Sequence, residues 1–430
     1  MNQQSERDAA SSPAPDGFVT GDEAAALLGV KRQTLYAYAS RGLLRSVPSG
    51  DGRAHLYARA DLLRLKARSD ARAGHGPVAA SALRWGEPVL ETAVSAIDVR
   101  GPVYRGVPAT ELVEKGVRFE GAAALLWGEA EKEDVERGEL RGPRWPAPSP
   151  GVSVARLAAL LPERVSPLMV LMLGVPAIAA RDPHRYLHSS ANEAVPARAL
   201  ILRMAALLSL PDRRDRFNAA LGETSVARAV LTAFGVRPSP AAVRAVDSAL
   251  VLCADHELNA STFAVRVAAS AGADLHACVA TGLHVLSGPE HGGVCDRVEA
   301  LVAEARSCAR PADVIALRAR RGEGIPGFGH TLYPNGDPRA KLLLAAAAEV
   351  SPEDESLGIL QALIEGMAEA GQEPPTLDIG LVALACAVGL PAGAAAALFA
   401  IGRCAGWVAH AMEQRRAGFL VRPRARYVGP

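Results

Sequence analysis

Aromatic residues are scarce in this chain: Phe, Trp and Tyr make up 4% of its 430 residues, although 49% of the residues are hydrophobic. The interior therefore has to be built mostly from Ala, Leu and Val, and Ala and Leu favour helices over strands. A chain of this length exceeds one ordinary core. We expect a mainly α protein made of two or three folded units.

Cysteines are few as well. None of the six lies in the first 250 residues, and no Cys-x-x-Cys pair occurs. This usage is typical of reduced thiols in the cytoplasm. The chain also lacks the His-Glu-x-x-His motif and the Cys/His spacing of zinc fingers. We therefore expect a cytoplasmic protein with no metal site and no tightly bound cofactor.

Net charge is nearly absent, at a formal +1, which excludes a global field that would draw the whole protein to nucleic acid or to an anionic membrane. No charge occurs between Ile379 and Gly402, a stretch long enough to span a membrane. Gly389, Pro391 and Gly393 interrupt it halfway, which favours two buried helices that meet at a turn. We expect no contact with a membrane.

The first 17 residues are polar, are rich in Pro and Ser, and lack the apolar core of a secretory signal, so we expect a disordered tail. Beyond them, Thr20 and Glu23 form a capping box that predicts a short helix ending at Gly29. A second helix is predicted from Lys31 to the glycine Gly42. Two short helices around a glycine turn make a helix-turn-helix.

Two short extended runs joined by a Gly-Asp-Gly turn follow, and then a third helical segment. Residues 18–72 therefore resemble a winged helix-turn-helix of the MerR type. The part from residue 31 to residue 72 has ten Lys and Arg against three Asp, a local net charge of +7. This basic excess predicts a possible partner, duplex DNA, with Lys31 and Arg32 in the major groove and Arg53 and Arg59 on phosphates. The alternative is a solvated face on an interaction module.

Residues 73–86 are rich in Gly and Ala with little apolar periodicity, which predicts a linker into a second domain over residues 87–430. Three segments of that domain place titratable groups among glycines within apolar helical sequence, where burial is costly. They read ADHELNASTF from residue 254, SGPEHGG from residue 287 and IPGFGHTLYPNGDPRA from residue 325. Glycines beside His291 and His330 let a substrate approach the imidazoles closely, and Arg339 suits a bidentate grip on a carboxylate.

These segments, together with YRG from Tyr104, GRCAGWVAHAMEQ from Gly402 and RPRARYVG from Arg422, resemble the citrate synthase family. The resemblance covers the chain from about Glu87 to its end, with the motifs in the family's order. It implies a mainly α homodimer with a large helical domain and a smaller mobile one, here about residues 292–383. The two domains are expected to close over oxaloacetate before the thioester binds.

The resemblance also implies roles for individual residues. Asp378 matches the base that takes a proton from the thioester methyl group. His291 matches the donor to the enol oxygen, and His330 matches the group that polarises the ketone of oxaloacetate and protonates the new alkoxide. Its remaining matches are His256, Arg339 and Arg403 for the oxaloacetate carboxylates, Arg422 for the partner subunit's site, and Ile325, Pro326, Gly327 and Phe328 for the acyl-CoA.

Three features depart from the family pattern. Leu377 and Ile379 flank the expected base with apolar side chains, which raises its pKa by desolvation. Pro334-Asn335 stands where many relatives carry a cation for the CoA phosphates. We expect Arg318, Arg320 and Arg321 to supply that charge from another direction. Cys295 follows His291 closely, but a buried small thiol is favoured over a Cys/His nucleophile.

The expected activity is condensation of acetyl-CoA or propionyl-CoA with oxaloacetate to give citrate or 2-methylcitrate and CoA. A single methylene separates the two acyl groups, and the sequence favours neither. The alternative is a transcriptional regulator whose synthase-type domain senses oxaloacetate or acyl-CoA. A complete set of catalytic groups favours the enzyme, because a sensor has no need of a base such as Asp378.

Overall fold

The computed structural model describes residues 18–40, 43–48, 55–59, 61–62, 65–66, 90–186, 193–211, 214–425, 427 and 429. The expected tail, the expected linker and Arg53 lie outside these residues. The described chain falls into two compact units. One contains the residues up to Glu91 and those from Arg424 onward, and the other spans Thr92–Pro423.

The N-terminal unit contains the expected helix pair and wing strands. Its elements are β1 (Phe18–Val19), α1 (Gly21–Leu28), α2 (Arg32–Ser40), β2 (Ser46–Pro48) and β3 (His55–Ala58). The capping box is confirmed, because the Thr20 hydroxyl accepts from the Glu23 backbone N–H while the Glu23 carboxylate accepts from the Thr20 backbone. Gly29 ends α1 at φ 63°. The wing strands pair in antiparallel fashion, and β1 adds a third strand in the order β1-β3-β2.

Ion pairs hold two arginines of this small unit. Arg32, expected in a DNA groove, donates from Nε to Oδ1 of Asp22 on α1 at 2.7 Å. Arg45 donates in the same way to Asp61 at 2.8 Å. Lys31 and Arg59 are exposed. Arg32 therefore forms an exposed ion pair within the domain, and its expected contact with DNA stays a prediction.

The second unit starts with a three-stranded antiparallel sheet, β4 (Ser95–Asp98), β5 (Gly101–Tyr104) and β6 (Val107–Pro108). The first helices that follow are α3 (Ala109–Glu114), α4 (Phe119–Trp127), α5 (Lys132–Glu136), α6 (Val154–Ala158), α7 (Pro167–Ala179), α8 (Ala194–Leu207), α9 (Phe217–Leu221) and α10 (Val226–Phe234). The remaining helices are α11 (Pro240–Cys253), α12 (Ala260–Ser270), α13 (Leu275–Leu286), α14 (Val294–Arg306), α15 (Asp313–Arg320), α16 (Pro338–Val350), α17 (Glu355–Glu369), α18 (Leu377–Val388) and α19 (Ala394–Ala417).

The helix α19 lies at the centre of this unit and is buried along nearly its whole length. It packs against α11, α12 and α13, and small residues make the close approach possible. A Cβ on Gly402 would come within 2.7 Å of the Leu250 carbonyl oxygen, and one on Gly282 of α13 would come within 2.7 Å of the Trp407 ring. Among the described helices, α19 has the length and composition of a membrane span, and its apolar window is fully buried inside the protein.

The uncharged stretch forms two buried helices, as expected. Gly389 ends α18 at φ 79°, and Gly393, also at φ 79°, precedes α19. In the part expected to form the smaller domain, α18 packs against α14, α16 and α17. This packing brings the start of α18, which contains Asp378, against the start of α14 and of α16.

Candidate active site

Side chains from all three glycine-flanked segments meet in one cluster. His256 follows α11, His291 precedes α14, His330 precedes α16, and Asp378 and Arg403 come from α18 and α19. The pKa of His256 shows that they lie close together. Burial is the main cause that lowers this pKa far below its ordinary value, and the charges of Arg339, Arg403 and the other two imidazoles lower it further. The expected residues are therefore neighbours in space, although about 150 residues separate the first from the last.

Tyr333 links two of the imidazoles. Its hydroxyl lies 2.9 Å from Nε2 of His256, and its ring centroid lies 4.8 Å from that of His330. The His256 and His330 rings are 5.7 Å apart, and the Arg339 guanidinium lies 5.6 Å from the Tyr333 centroid. Sequence reasoning did not identify Tyr333, although it lies within the third segment. The sequence feature that could have indicated Tyr333 is its position as an aromatic residue in a Gly/Pro-rich segment.

The tautomer of His330 is set by the backbone. Its Nδ1 accepts a hydrogen bond from the Leu332 N–H at 3.1 Å, so in the neutral ring the hydrogen is on Nε2. Burial, with a further contribution from Arg339, lowers the pKa of His330 below its ordinary value. His330 is thus a neutral imidazole with a fixed N–H donor.

Arg339 is held by Asp337, which corrects one expectation. Two of its nitrogens, Nε and Nη2, donate to the Asp337 carboxylate at 2.9 and 2.7 Å. The bidentate hydrogen bond that we expected Arg339 to form with a substrate carboxylate is therefore formed with Asp337. The third nitrogen, Nη1, is buried and has no hydrogen-bond partner in the described structure. The Nη1 amino group of Arg339, with its two N–H donors, remains for a ligand.

Arg403 is buried, with 1% of its surface exposed, and none of the acidic side chains in the described residues forms an ion pair with it. Its Nε donates to the Cys253 carbonyl at 2.8 Å, and its guanidinium lies 4.8 Å from the Phe399 centroid. Burial lowers its pKa below the ordinary value. The nearby carboxylate of Asp255 opposes this shift without contacting the guanidinium directly. A buried cation with no ion-pair contact is costly and fits a site for an anion.

His291 also lies against Phe399, with ring centroids 5.8 Å apart. Its Nε2 lies 2.9 Å from the Ser261 hydroxyl, which also accepts from the Trp407 indole at 3.2 Å. Burial lowers the pKa of His291 to about 4, with a smaller contribution from Arg403. The ring is therefore neutral at pH 7.

Asp378 is partly accessible, and both its oxygens accept hydrogen bonds from the protein. The Thr376 hydroxyl donates to Oδ2 at 2.9 Å and the Cys295 thiol donates to Oδ1 at 3.3 Å. Burial raises the pKa of Asp378 above its ordinary value, while these two bonds and the charge of Arg339 oppose the increase. The expected effect of its apolar neighbours therefore has the predicted direction.

The loop expected to bind acyl-CoA runs beside this carboxylate. The Gly327 carbonyl accepts from the Thr376 N–H at 2.8 Å, and the Gly329 N–H donates to the Pro374 carbonyl at 2.9 Å. Gly327 has φ 85°, and a Cβ there would come within 2.7 Å of both Val298 and Ile379. Glycine is therefore required for the loop to pack onto α14 and α18.

The backbone that carries His256 is held by a buried network around Asp255. Its Oδ2 accepts from the Ser95 hydroxyl, lies 3.2 Å from His410 Nε2, and accepts from the Glu257 N–H at 3.1 Å. Glu257 itself has φ 52°, a conformation that costs free energy in a non-glycine residue. Sequence reasoning did not identify Asp255 as a support, because its partners are distant in sequence.

Some expected residues lie elsewhere. Arg422 is exposed beyond α19, and no contact of the described residues joins it to the cluster. Arg318 donates to Glu304 at 2.6 Å, and Arg321 also pairs with Glu304. These two arginines are paired with an acid, and their suggested contact with the CoA phosphates stays a prediction. Arg320 is exposed.

Two cavities of about 310 and 570 Å³ lie beside α13, with Arg185 and Asp274 in the walls of both. Neither is lined by a residue of the cluster. The candidate site therefore rests on the convergence of titratable groups and not on cavity size.

Comparison with known proteins identifies the family. The family model described as citrate synthase, C-terminal domain, matches residues 82–424. A citrate synthase of Mycolicibacterium smegmatis is 31% identical over 358 residues, covering 79% of this chain and 92% of that protein. The chain belongs to the citrate synthase family.

Other members of the citrate synthase family are also similar to this chain. A 2-methylcitrate synthase of Mycobacterium tuberculosis is 30% identical over 351 residues, covering 79% of this chain and 88% of that protein. The putative citrate synthase 2 of the same species is 36% identical over 212 residues, a match that spans 48% of this chain and only 57% of that relative. A helix-turn-helix domain model matches residues 18–70.

The citrate synthase fold is also found in solved structures. The Thermoplasma acidophilum citrate synthase, in ternary complex with carboxymethyl coenzyme A and oxaloacetate, superposes with a TM-score of 0.66 and 25% identity over 80% of this chain and 94% of that one. The Thermotoga maritima citrate synthase superposes with a TM-score of 0.64 and 26% identity, covering 80% of this chain and 94% of that one. The expected family and mainly α fold are confirmed.

Proposed function

We propose that this chain condenses acetyl-CoA or propionyl-CoA with oxaloacetate, giving citrate or 2-methylcitrate and free CoA. The observation that carries the proposal is Arg403, a buried cation that forms no direct ion pair in the described residues, near three neutral imidazoles and a carboxylate. A relative of the same fold binds oxaloacetate and a CoA analogue. The substrate dianion would supply the missing negative charge.

Oxaloacetate binds through His256, Arg339 and Arg403. Arg403 neutralises one carboxylate, and the unpartnered Nη1 of Arg339 donates to the other. Tyr333 keeps His256 in place at 2.9 Å. The ketone oxygen then lies against His330, whose Nε2–H donates to it and polarises the carbonyl.

Asp378 takes a proton from the methyl or methylene carbon next to the thioester carbonyl. The developing enol oxygen accepts a hydrogen bond from neutral His291. The Ser261 hydroxyl has one proton, which goes either to Asn259 Oδ1 at 2.7 Å or to Nε2 of His291. When it goes to His291, the hydrogen of the ring is on Nδ1, ready for the enol.

The enol carbon attacks the ketone carbon as His330 donates its Nε2 proton to the new alkoxide. The proton that Asp378 took from the acyl-CoA then returns to the His330 ring through water, which restores both groups. Water then hydrolyses the thioester of the condensation product, releasing CoA and the free acid. No Ser or Cys nucleophile is needed. The loop from Ile325 to Phe328 would hold the acyl-CoA next to Asp378, because its carbonyl at Gly327 is bonded to Thr376.

A homodimer with a shared site completes this proposal. The exposed Arg422 would reach the site of the second subunit, as the family resemblance implies. The exposure of the segment beyond α19 supports this part of the proposal. We retain a cytoplasmic location as a prediction from the free cysteines, all six of which are unpaired.

The test measures release of the CoA thiol from acetyl-CoA and from propionyl-CoA, with and without oxaloacetate. We expect release that requires oxaloacetate and is lost in Asp378→Asn, which keeps the shape of the side chain and removes the base. Chromatography of the product identifies citrate or 2-methylcitrate. Absence of oxaloacetate-dependent release with both thioesters would favour the sensor.

We also propose that the N-terminal unit binds duplex DNA. The helix-turn-helix match and the exposed cations Lys31 and Arg59 support this. Binding of a fluorescent random duplex should weaken with salt, and it should weaken further in Lys31→Ala, Arg53→Ala and Arg59→Ala. Arg32→Ala should have a smaller effect, because Asp22 already neutralises that side chain. No binding at low salt would refute the proposal.

A further inference from the structure

Two hydrogen-bond donors hold the carboxylate of Asp378, one on each oxygen. They come from different parts of the fold: Thr376 immediately precedes α18, and Cys295 lies in the first turn of α14, 83 residues before Asp378. Both donors are buried, whereas Asp378 is partly accessible. We propose that Thr376 and Cys295 are positioning residues for the base, which keep its carboxylate ionised and aimed at the acyl-CoA. This inference rests on the proposed condensation.

The surroundings explain why two donors are needed. Leu377 is 3% exposed and Ile379 is fully buried, so apolar side chains flank the partly accessible carboxylate, and desolvation raises its pKa. The other charged or titratable groups that act on it are Arg339 from α16 and the Cys253 thiol from α11. The first turn of α18 adds a favourable dipole. Arg339 is already paired with Asp337, so the direct support of the negative charge comes from these two side-chain hydrogen bonds and from the backbone N–H of Asp378 itself.

The same bonds fix orientation. The terminal torsion of an aspartate is broad, so an unsupported carboxylate rotates readily. One bond to each oxygen defines the plane of the group and leaves a lone pair on each oxygen for the substrate proton. Thr376 is itself anchored through its N–H to the Gly327 carbonyl at 2.8 Å. The loop expected to hold acyl-CoA and the orientation of the base are thus joined by one residue.

Cys295 serves here as a donor and not as a nucleophile. It is fully buried, and burial together with the adjacent charge of Asp378 raises its pKa well above the ordinary value. The thiol therefore keeps its proton, which points at Asp378 Oδ1. A Cys/His hydrolase needs the opposite, an accessible thiolate.

The pH profile of kcat tests the proposal. Thr376→Val removes the hydroxyl at constant shape, and we expect the acid limb to move up by about 1–2 pH units, the value of a hydrogen bond to a charged group. Cys295→Ala should move it less, since a thiol is a weak donor, and the double variant should move it furthest. Thr376→Ser and Cys295→Ser should restore the limb. The KM for oxaloacetate should stay unchanged throughout.

A matched control is Cys404→Ala, another fully buried thiol that has no contact with Asp378 among the described residues. The acid limb of the pH profile of kcat should not move in this variant. A lower kcat at every pH with an unmoved limb in Thr376→Val and in the double variant indicates mere structural damage and overturns the proposal.

A second readout does not depend on activity. The infrared S–H stretching band of Cys295, identified as the band lost in Cys295→Ala, should shift with pH as Asp378 gains its proton, and this shift should vanish in Asp378→Asn. If the parent releases no CoA but the band titrates, the proposed function fails and the positioning pair stands. If CoA is released while neither the band nor the limb responds, the pair is refuted alone.

Discussion

Replacing Arg403 by Met separates the cost of this residue for folding from its use in binding. The Arg403 guanidinium is buried, donates to one carbonyl and lies over one aromatic ring. Met has a similar length and no charge. Loss of the Arg403 charge removes one of several groups that stabilise ionised Asp255, but His410 and Ser95 remain, so we expect the free energy of unfolding to fall by only about 1–2 kcal/mol.

The effect on oxaloacetate should be large. Removing one partner of a buried, hydrogen-bonded charge pair costs about 2–5 kcal/mol, which corresponds to a loss of kcat/KM of roughly 30- to 5,000-fold. The assay combines CoA release at varied oxaloacetate with urea denaturation of the free protein. Citrate should also stabilise the parent more than the variant, since a ligand stabilises only the state that binds it.

Arg415→Met is the matched control. Arg415 is also a cation of α19, but it pairs with Glu193, which is 2% exposed. Removing it leaves a buried carboxylate without its partner, which should destabilise the protein by about 3–5 kcal/mol. An Arg403→Met protein that unfolds like Arg415→Met while keeping its kcat/KM would refute the assignment of Arg403 to an anionic substrate.

Two further predictions concern neighbouring groups. Tyr333→Phe loses the hydroxyl bonded to His256, so the KM for oxaloacetate should rise about 3- to 10-fold, as steady-state kinetics will measure; an unchanged KM would exclude Tyr333 as a support. Asp247, whose pKa is raised to about 7 by burial and by Glu120, stabilises the fold below about pH 4 and loses this contribution as pH rises through 7. Asp247→Asn should therefore be more stable than the parent at pH 9 by about 2–4 kcal/mol, with a smaller gain at pH 5; equal gains in urea denaturation at the two pH values would contradict this.

Local chemistry made much of the fold predictable. The capping box at Thr20 and the glycines at Gly29, Gly389 and Gly393 mark helix ends in the sequence because a side-chain cap or a positive φ is needed there. The abundance of Ala and Leu likewise indicated helices. The family motifs indicated which residues form the site, and the structure brings their side chains into one cluster.

Contacts between distant residues were decided by the tertiary structure. The sequence suggested that Arg339 was free for a substrate, yet its fork is used by Asp337, and Arg318 and Arg321 are held by Glu304. Arg32 is similarly engaged by Asp22. A charged side chain buried or folded against an acid is stabilised by pairing with it, and the sequence does not specify which acid lies within reach.

The sequence by itself determined the helical composition and the basic N-terminal module, and it pointed to the candidate site residues, because these follow from local propensity and from motifs that each lie in one segment. The packing of α14, α16 and α18 decided what surrounds Asp378. Its supporting thiol comes from a residue 83 positions earlier, and such a contact arises only when helices pack side by side. The pKa of a buried base depends on these neighbours, so its chemistry is a property of the folded chain.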